Sequence, residues 1–258
     1  MFPIRDDNPS ILTPVVTVGL IGLNVAMWIF VQGIGLEPAL SGSVCTLGLI
    51  PGELLQTIPA GTSLSISPET VCVIGGSPSW HTPLTSMFLH GGRFHMIFNM
   101  WFMWIFGNNV EDSMGHVRFL VFYLLCGLAA AALQVASNPD SAIPMVGASG
   151  AIGGVMGAYI ILFPRVNVHL LVIFGFYITT IAVPAALMLG YWLLAQLIGG
   201  WVSSGSQGGG VAVWAHVGGF AAGAALIFPF RNPRLLARHP YHGWARQGLP
   251  TSRWRRIR

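Results

Sequence analysis

Long apolar runs recur along this chain, separated by short breaks of Gly, Pro and polar residues. Crossing a hydrocarbon core of ~30 Å takes ~20 helical residues. Six runs come close to that length, at about 13–33, 93–109, 117–136, 149–163, 182–200 and 210–230. The pattern predicts an all-α polytopic membrane protein with six transmembrane helices, occupying 13–230. Residues 1–12 form a short polar tail and 231–258 a basic one. No small-residue cleavage site follows the first run, which reads as a retained helix rather than a removed signal peptide.

Composition agrees, because 53% of the residues are hydrophobic and 8% charged, too apolar a balance for a solvated surface. Every cation is an arginine, and with six spans Arg5, Arg118, Arg165 and the set from Arg231 to Arg258 fall on one side. Only Arg93 falls on the other. By the positive-inside rule both termini are cytoplasmic. A basic segment beside a membrane helix meets anionic lipid more often than nucleic acid, so the expected partner is the bilayer and no nucleic acid.

The external segment 34–92 mixes Gly, Pro and Ser with apolar stretches such as LGLIPGELL and WHTPLTSMFLH, which predicts a structured loop lying partly in the membrane interface. It holds Cys45 and Cys72, either a disulfide or two free thiols, since spacing does not decide connectivity. Cys126, inside the third run, reads as a small buried hydrophobe. The stretch 168–181 is apolar and followed by Pro184; it reads as an interfacial approach to the fifth span or as its first half. Small residues crowd the fourth and sixth runs, GASGAIGGVMGAY and AHVGGFAAGAA. Pairs such as Gly153 with Gly157 and Gly219 with Gly223 predict that these two helices touch.

Ionisable and polar groups at membrane depth are costly and therefore functional candidates. These are His95 and Asn99 in the second run, Ser149 at the start of the fourth and His216 early in the sixth. Ser149 sits in VGASGAIGG, between Gly147 and Gly150, where a tight loop opens a helix and sets the hydroxyl beside free backbone N–H groups. It is either a nucleophile or simply the helix N-cap. His216 is either a general base or a hydrogen-bonded core histidine. His95 and Asn99, at i and i+4, share a helix face and either stabilise a developing oxyanion or bond between helices. His90 either shapes the site or is an interfacial loop residue. No carboxylate falls inside a run, so Ser149 and His216 can work only as a dyad, the imidazole held by packing.

HGGRFHMIFN (90–99), G-A-S-G (147–150) and A-H-V-G-G-F-A-A-G (215–223) together resemble the bacterial rhomboid proteases, in that family's order on its second, fourth and sixth helices. The resemblance covers nearly the whole chain. It implies a six-helix fold in the bacterial inner membrane, a Ser149–His216 dyad, an oxyanion site from His95, Asn99 and the Ser149 N–H, and cleavage of transmembrane protein substrates entering between the second and fifth helices, with no cofactor or metal. Two departures stand out. Relatives often carry an aromatic residue four positions after the nucleophile, stacked on the base, where this chain has Gly153; and the Trp-Arg pair of some relatives' first external loop is not evident. Two rivals, a non-catalytic rhomboid-like binder and a transporter, fit less well: a binder needs none of these polar residues, and the chain has no matching repeats or charged midplane residue.

Overall fold

The computed structural model of the protein describes residues 2–68, 70–203 and 212–241. In chain order its elements are β1 (Phe2–Asp6), α1 (Val15–Phe30), α2 (Ala39–Leu47), α3 (Pro51–Leu54), β2 (Ser63–Ser67), β3 (Thr70–Val73), α4 (Thr82–Thr85), α5 (Arg93–Met114), α6 (His116–Ser137), α7 (Ser149–Leu162), β4 (Asn167–Phe174), β5 (Tyr177–Pro184), α8 (Ala185–Ser203), α9 (Val213–Phe230) and α10 (Pro233–Leu236). The helices α1, α5, α6, α7, α8 and α9 fall on the six apolar runs, giving a mostly helical polytopic membrane fold. Among the described residues α6, α8 and α9 are long and apolar enough to cross a membrane, while α1 and α7 are apolar but shorter.

The centre of the bundle is the α7–α9 contact, and it is built from glycine. A Cβ on Gly219 would overlap the carbonyl of Gly150, one on Gly223 that of Gly154, and one on Gly157 that of Phe220. Helix backbones come this close only where side chains are missing, and in lipid such packing must supply the attraction that water supplies elsewhere. Gly153 also faces α9, with its ideal Cβ position 3.1 Å from the His216 carbonyl oxygen. Tyr123, Phe122, Val155 and Tyr159 pack around this seam with at most 1% of their surface exposed.

One end of the bundle is tied by carboxylates. Glu111 accepts hydrogen bonds from the N–H groups of Val16 and Thr17 and from the Thr17 hydroxyl, and Asp112 accepts from the N–H groups of Ile11 and Leu12. The opening amides of α1 have no carbonyl of their own helix to meet, and an anion there also suits the helix dipole. This use explains why α5 runs to Met114 although its apolar run stops near 109. Gly115, at φ 83°, then turns the chain directly into α6.

One sheet gathers two stretches that lie far apart in the chain. Residues 168–181 are not the first half of the fifth span; they form most of the β4–β5 hairpin that leads into α8, paired from Asn167↔Pro184 to Phe174↔Tyr177. The N-terminal stretch joins the same sheet, β1 adding to β4 with Phe2 opposite Leu171 and Asp6 opposite Val168, giving the order β1-β4-β5. The 168–181 stretch is rich in β-branched and aromatic residues, and Gly175, at φ 59°, supplies the left-handed turn. β1 lies along α5: Asn109 Nδ2 donates to the Asn8 carbonyl, Trp101 Nε1 donates to that of Pro3, and the Phe2 ring sits 5.4 Å from that of Phe98.

Among its described residues the segment 34–92 holds α2, α3, the β2–β3 pair and α4. A disulfide joins Cys45 on α2 to Cys72 on β3, with Cα atoms 5.4 Å apart. Cys126 is a free, buried thiol. Of the basic 231–258 stretch, α10 packs on the bundle through buried Leu236; residues 242–258 lie outside the described residues, as do 204–211 before α9.

Candidate active site

The site forms where the segment before α7 meets the first turn of α9 and the first turns of α5. The 144–147 stretch is fixed by backbone pairing, Leu49 with Met145 in both directions and Gly147 N–H to the Ser86 carbonyl. Gly147 has φ 136°, and an added Cβ would stand 2.8 Å from His95 Cε1. Glycine is therefore required there on two counts. Gly150 is equally constrained, its ideal Cβ position 2.6 Å from that of Ala130.

Ser149 is not the N-cap of α7. Ala148 holds that position, and Ser149 opens the helix. Its Oγ lies 2.8 Å from Nε2 of His216, across the glycine seam. Nδ1 of His216 lies 2.8 Å from Oε1 of Gln196 on α8. An amide oxygen only accepts, so the Nδ1 proton points to Gln196 and the Nε2 lone pair receives the serine hydroxyl. The Trp192 ring lies 5.8 Å from the imidazole and 6.1 Å from the Phe220 ring.

His95 and Asn99 rise from α5 on the other side. His95 Nδ1 accepts the Gly91 N–H at 3.3 Å, which leaves the proton on Nε2, facing Gly147 and Ser149. Asn99 donates one amide hydrogen to the His95 carbonyl at 2.9 Å and keeps a second donor. These donors line the same cavity as Ser149, and the first-turn N–H groups of α7 lack carbonyl partners within their own helix. His90 stands behind this set, its ring 5.3 Å from that of His95 and fully buried. Gln32 brackets the His90 backbone, donating to its carbonyl and accepting from its N–H. Burial, with His95 nearby, pushes the His90 imidazole down to about 3, so it stays neutral.

All four polar groups, Ser149, His216, His95 and Asn99, line one cavity of about 510 Å³, with Phe98 and Phe102 of α5 on one wall and Trp192 of α8 on the other. Among the described residues no group of three or more His, Cys, Asp or Glu side chains is placed to hold a metal ion. A hydroxyl bonded to a neutral imidazole, facing donors across an open cavity, is an arrangement suited to acyl transfer.

The Rhomboid domain profile matches residues 77–233, more than half of the chain. The chain belongs to the rhomboid family. Rhomboid protease GluP of Bacillus subtilis (strain 168) is 37% identical over 101 residues, covering 36% of this chain and 19% of its own. RHOMBOID-like protein 4 of Arabidopsis thaliana is 29% identical over 180 residues, 68% of this chain and 38% of that protein. The putative rhomboid protease YdcA of Bacillus subtilis (strain 168) is 33% identical over 81 residues, 31% of this chain and 40% of its own. The matches therefore span from about a fifth to two fifths of these relatives' lengths. The rhomboid site contains two residues that the sequence reading passed over, Trp192 and Gln196. Their signal was present: Gln196 is a polar residue inside an apolar run, one turn after Trp192.

Proposed function

We propose that this rhomboid is an intramembrane serine endopeptidase that hydrolyses peptide bonds in or near transmembrane segments of other membrane proteins. The observation that carries this reading is the 2.8 Å contact between Ser149 Oγ and His216 Nε2 at the cavity. Ser149 Oγ attacks the scissile carbonyl carbon while its proton passes to His216 Nε2. The carbonyl oxygen, now negative, takes hydrogen bonds from His95 Nε2, Asn99 Nδ2 and the Ser149 N–H. The intermediate collapses, His216 protonates the leaving amine, and water, activated by His216, then releases the acyl group from Ser149.

A substrate helix hides its carbonyls in its own hydrogen bonds and must unwind to present one. The cavity walls suggest a route between α5 and α8, since both helices line it, and small or helix-breaking residues near the cleaved bond would ease the unwinding. The relatives named as proteases support the same chemistry. In this reading all six long helices span the membrane, both termini face the cytoplasm of a bacterial cell, and the site faces the opposite side. No cofactor takes part. The test is cleavage of a generic transmembrane substrate in liposomes by wild-type protein and by Ser149→Ala and His216→Ala. Product from wild type alone is the expected result; equal product from all three, at matched unfolding temperature, defeats the proposal.

A further inference from the structure

His216 is held on its two sides by different helices. Its backbone lies in the α7–α9 seam, where Gly153 of α7 presents no side chain to it. Its ring is contacted from α8, by Gln196 at Nδ1 and by Trp192 on the face. Both belong to one stripe of α8, Ala185, Leu189, Trp192, Gln196 and Gly200, of which Ala185, Leu189 and Gly200 are buried. The opposite face is open: Tyr191 and Trp201 are 75% and 82% exposed.

Resting on the protease reading above, we propose that Gln196 is the positioning residue of His216, with Trp192 backing the ring, so that α8 sets the tautomer and direction of the base. An imidazole serves Ser149 only if Nε2 carries the lone pair, and the acceptor at Nδ1 enforces that choice. A carboxylate would enforce it too, but a charge at this depth is costly. The amide oxygen selects the same tautomer without one. α8 also forms a wall of the cavity, so a substrate that pushes α8 aside also moves the groups that aim the base, and cleavage depends on α8 returning.

The experiment uses the full chain in detergent with a serine-reactive fluorophosphonate, whose phosphorus takes Ser149 Oγ as fluoride leaves and the hydroxyl proton passes to His216; labelling needs no known substrate. Gln196→Leu removes the acceptor and Gln196→Glu keeps one. Labelling by Gln196→Leu should fall about 10- to 100-fold, the range known for losing the outer hydrogen-bond partner of a metal-bound imidazole, while Gln196→Glu stays within a few-fold of wild type at equal unfolding temperature. With a cleavable substrate the Leu variant should lose kcat and keep KM. Trp192→Phe, which keeps a ring, should label faster than Trp192→Ala, and decides the matter if a Gln196 variant does not fold. Wild-type labelling by Gln196→Leu, or equal loss in Leu and Glu variants, overturns the positioning role, as does equal labelling of the two Trp192 variants. If folded wild type is labelled no faster than Ser149→Ala, the protease reading itself falls and this role with it.

Discussion

α7 and α8 both approach α9, and they do so in opposite ways. α7 meets it backbone to backbone through Gly150, Gly154 and Gly157 and is buried over most of its length. α8 meets it through a single stripe and turns most of its side chains outward. The first contact fixes where Ser149 and the His216 backbone stand; the second governs only where the imidazole points. The candidate site thus rests on one contact built from backbone and one built from a stripe of side chains.

The sharpest way to break this contrast is to add volume to the seam. Gly223→Val should destabilise the fold by at least about 3 kcal/mol, since the Cβ meets the Gly154 carbonyl and neither backbone can yield; thermal unfolding in detergent reads it. Next is the end of the bundle remote from the site. Glu111→Ala strands the Val16 and Thr17 amides and should cost about 2–3 kcal/mol, lowering the unfolding temperature while surviving folded protein keeps its labelling rate. His90 gives a smaller effect with a definite sign. Its folded value of about 3 lies below its ordinary 6.5, so the unfolded chain binds the proton first. The stability it lends is full above pH 6.5 and declines as pH falls toward 3, and His90→Phe should flatten unfolding temperature across that window.

Asp6 has the opposite sign and a local readout. Burial raises its carboxyl from 3.8 to about 7, against the Tyr159 hydroxyl 2.5 Å away. The docking energy it contributes is full below pH 4 and is lost as pH rises through 7. Protease cleavage within residues 2–12 should rise over that range in wild type and stay flat in Asp6→Asn. The smallest effect belongs to α8: nothing lies within 4 Å of an added Cβ at Gly190, so Gly190→Ala should be neutral or stabilise by about 0.5–1 kcal/mol. A large loss there would show that α8 is as tightly seated as α7.

The helices and the chemical groups were readable because each carries a local signal: a run of apolar residues, a glycine spacing, a hydroxyl or imidazole where lipid tolerates few. Glycine spacing announced the α7–α9 contact, although the interlocking set proved to be Gly150 and Gly154 against Gly219 and Gly223, with Gly157 against Phe220. What was not readable depends on partners distant in sequence. Residues 168–181 are apolar enough for a membrane helix, and it is their own β4–β5 pairing, with Phe2–Asp6 added at its edge, that makes them a sheet. Gln196 gains its meaning only when α8 lies against α9, and Glu111 only when α1 begins beside it.

The pairing of β1 with β4 also imposes an order in time. A chain is made from its N-terminus, at about 5–20 residues per second, and Phe2 must wait for Leu171, its partner. For roughly 10 to 30 s at that rate the first strand exists without its neighbour, while the chain through α7 is being made. The sheet is therefore a late act of assembly, and its closure along α5 records that the intervening helices have already been synthesised.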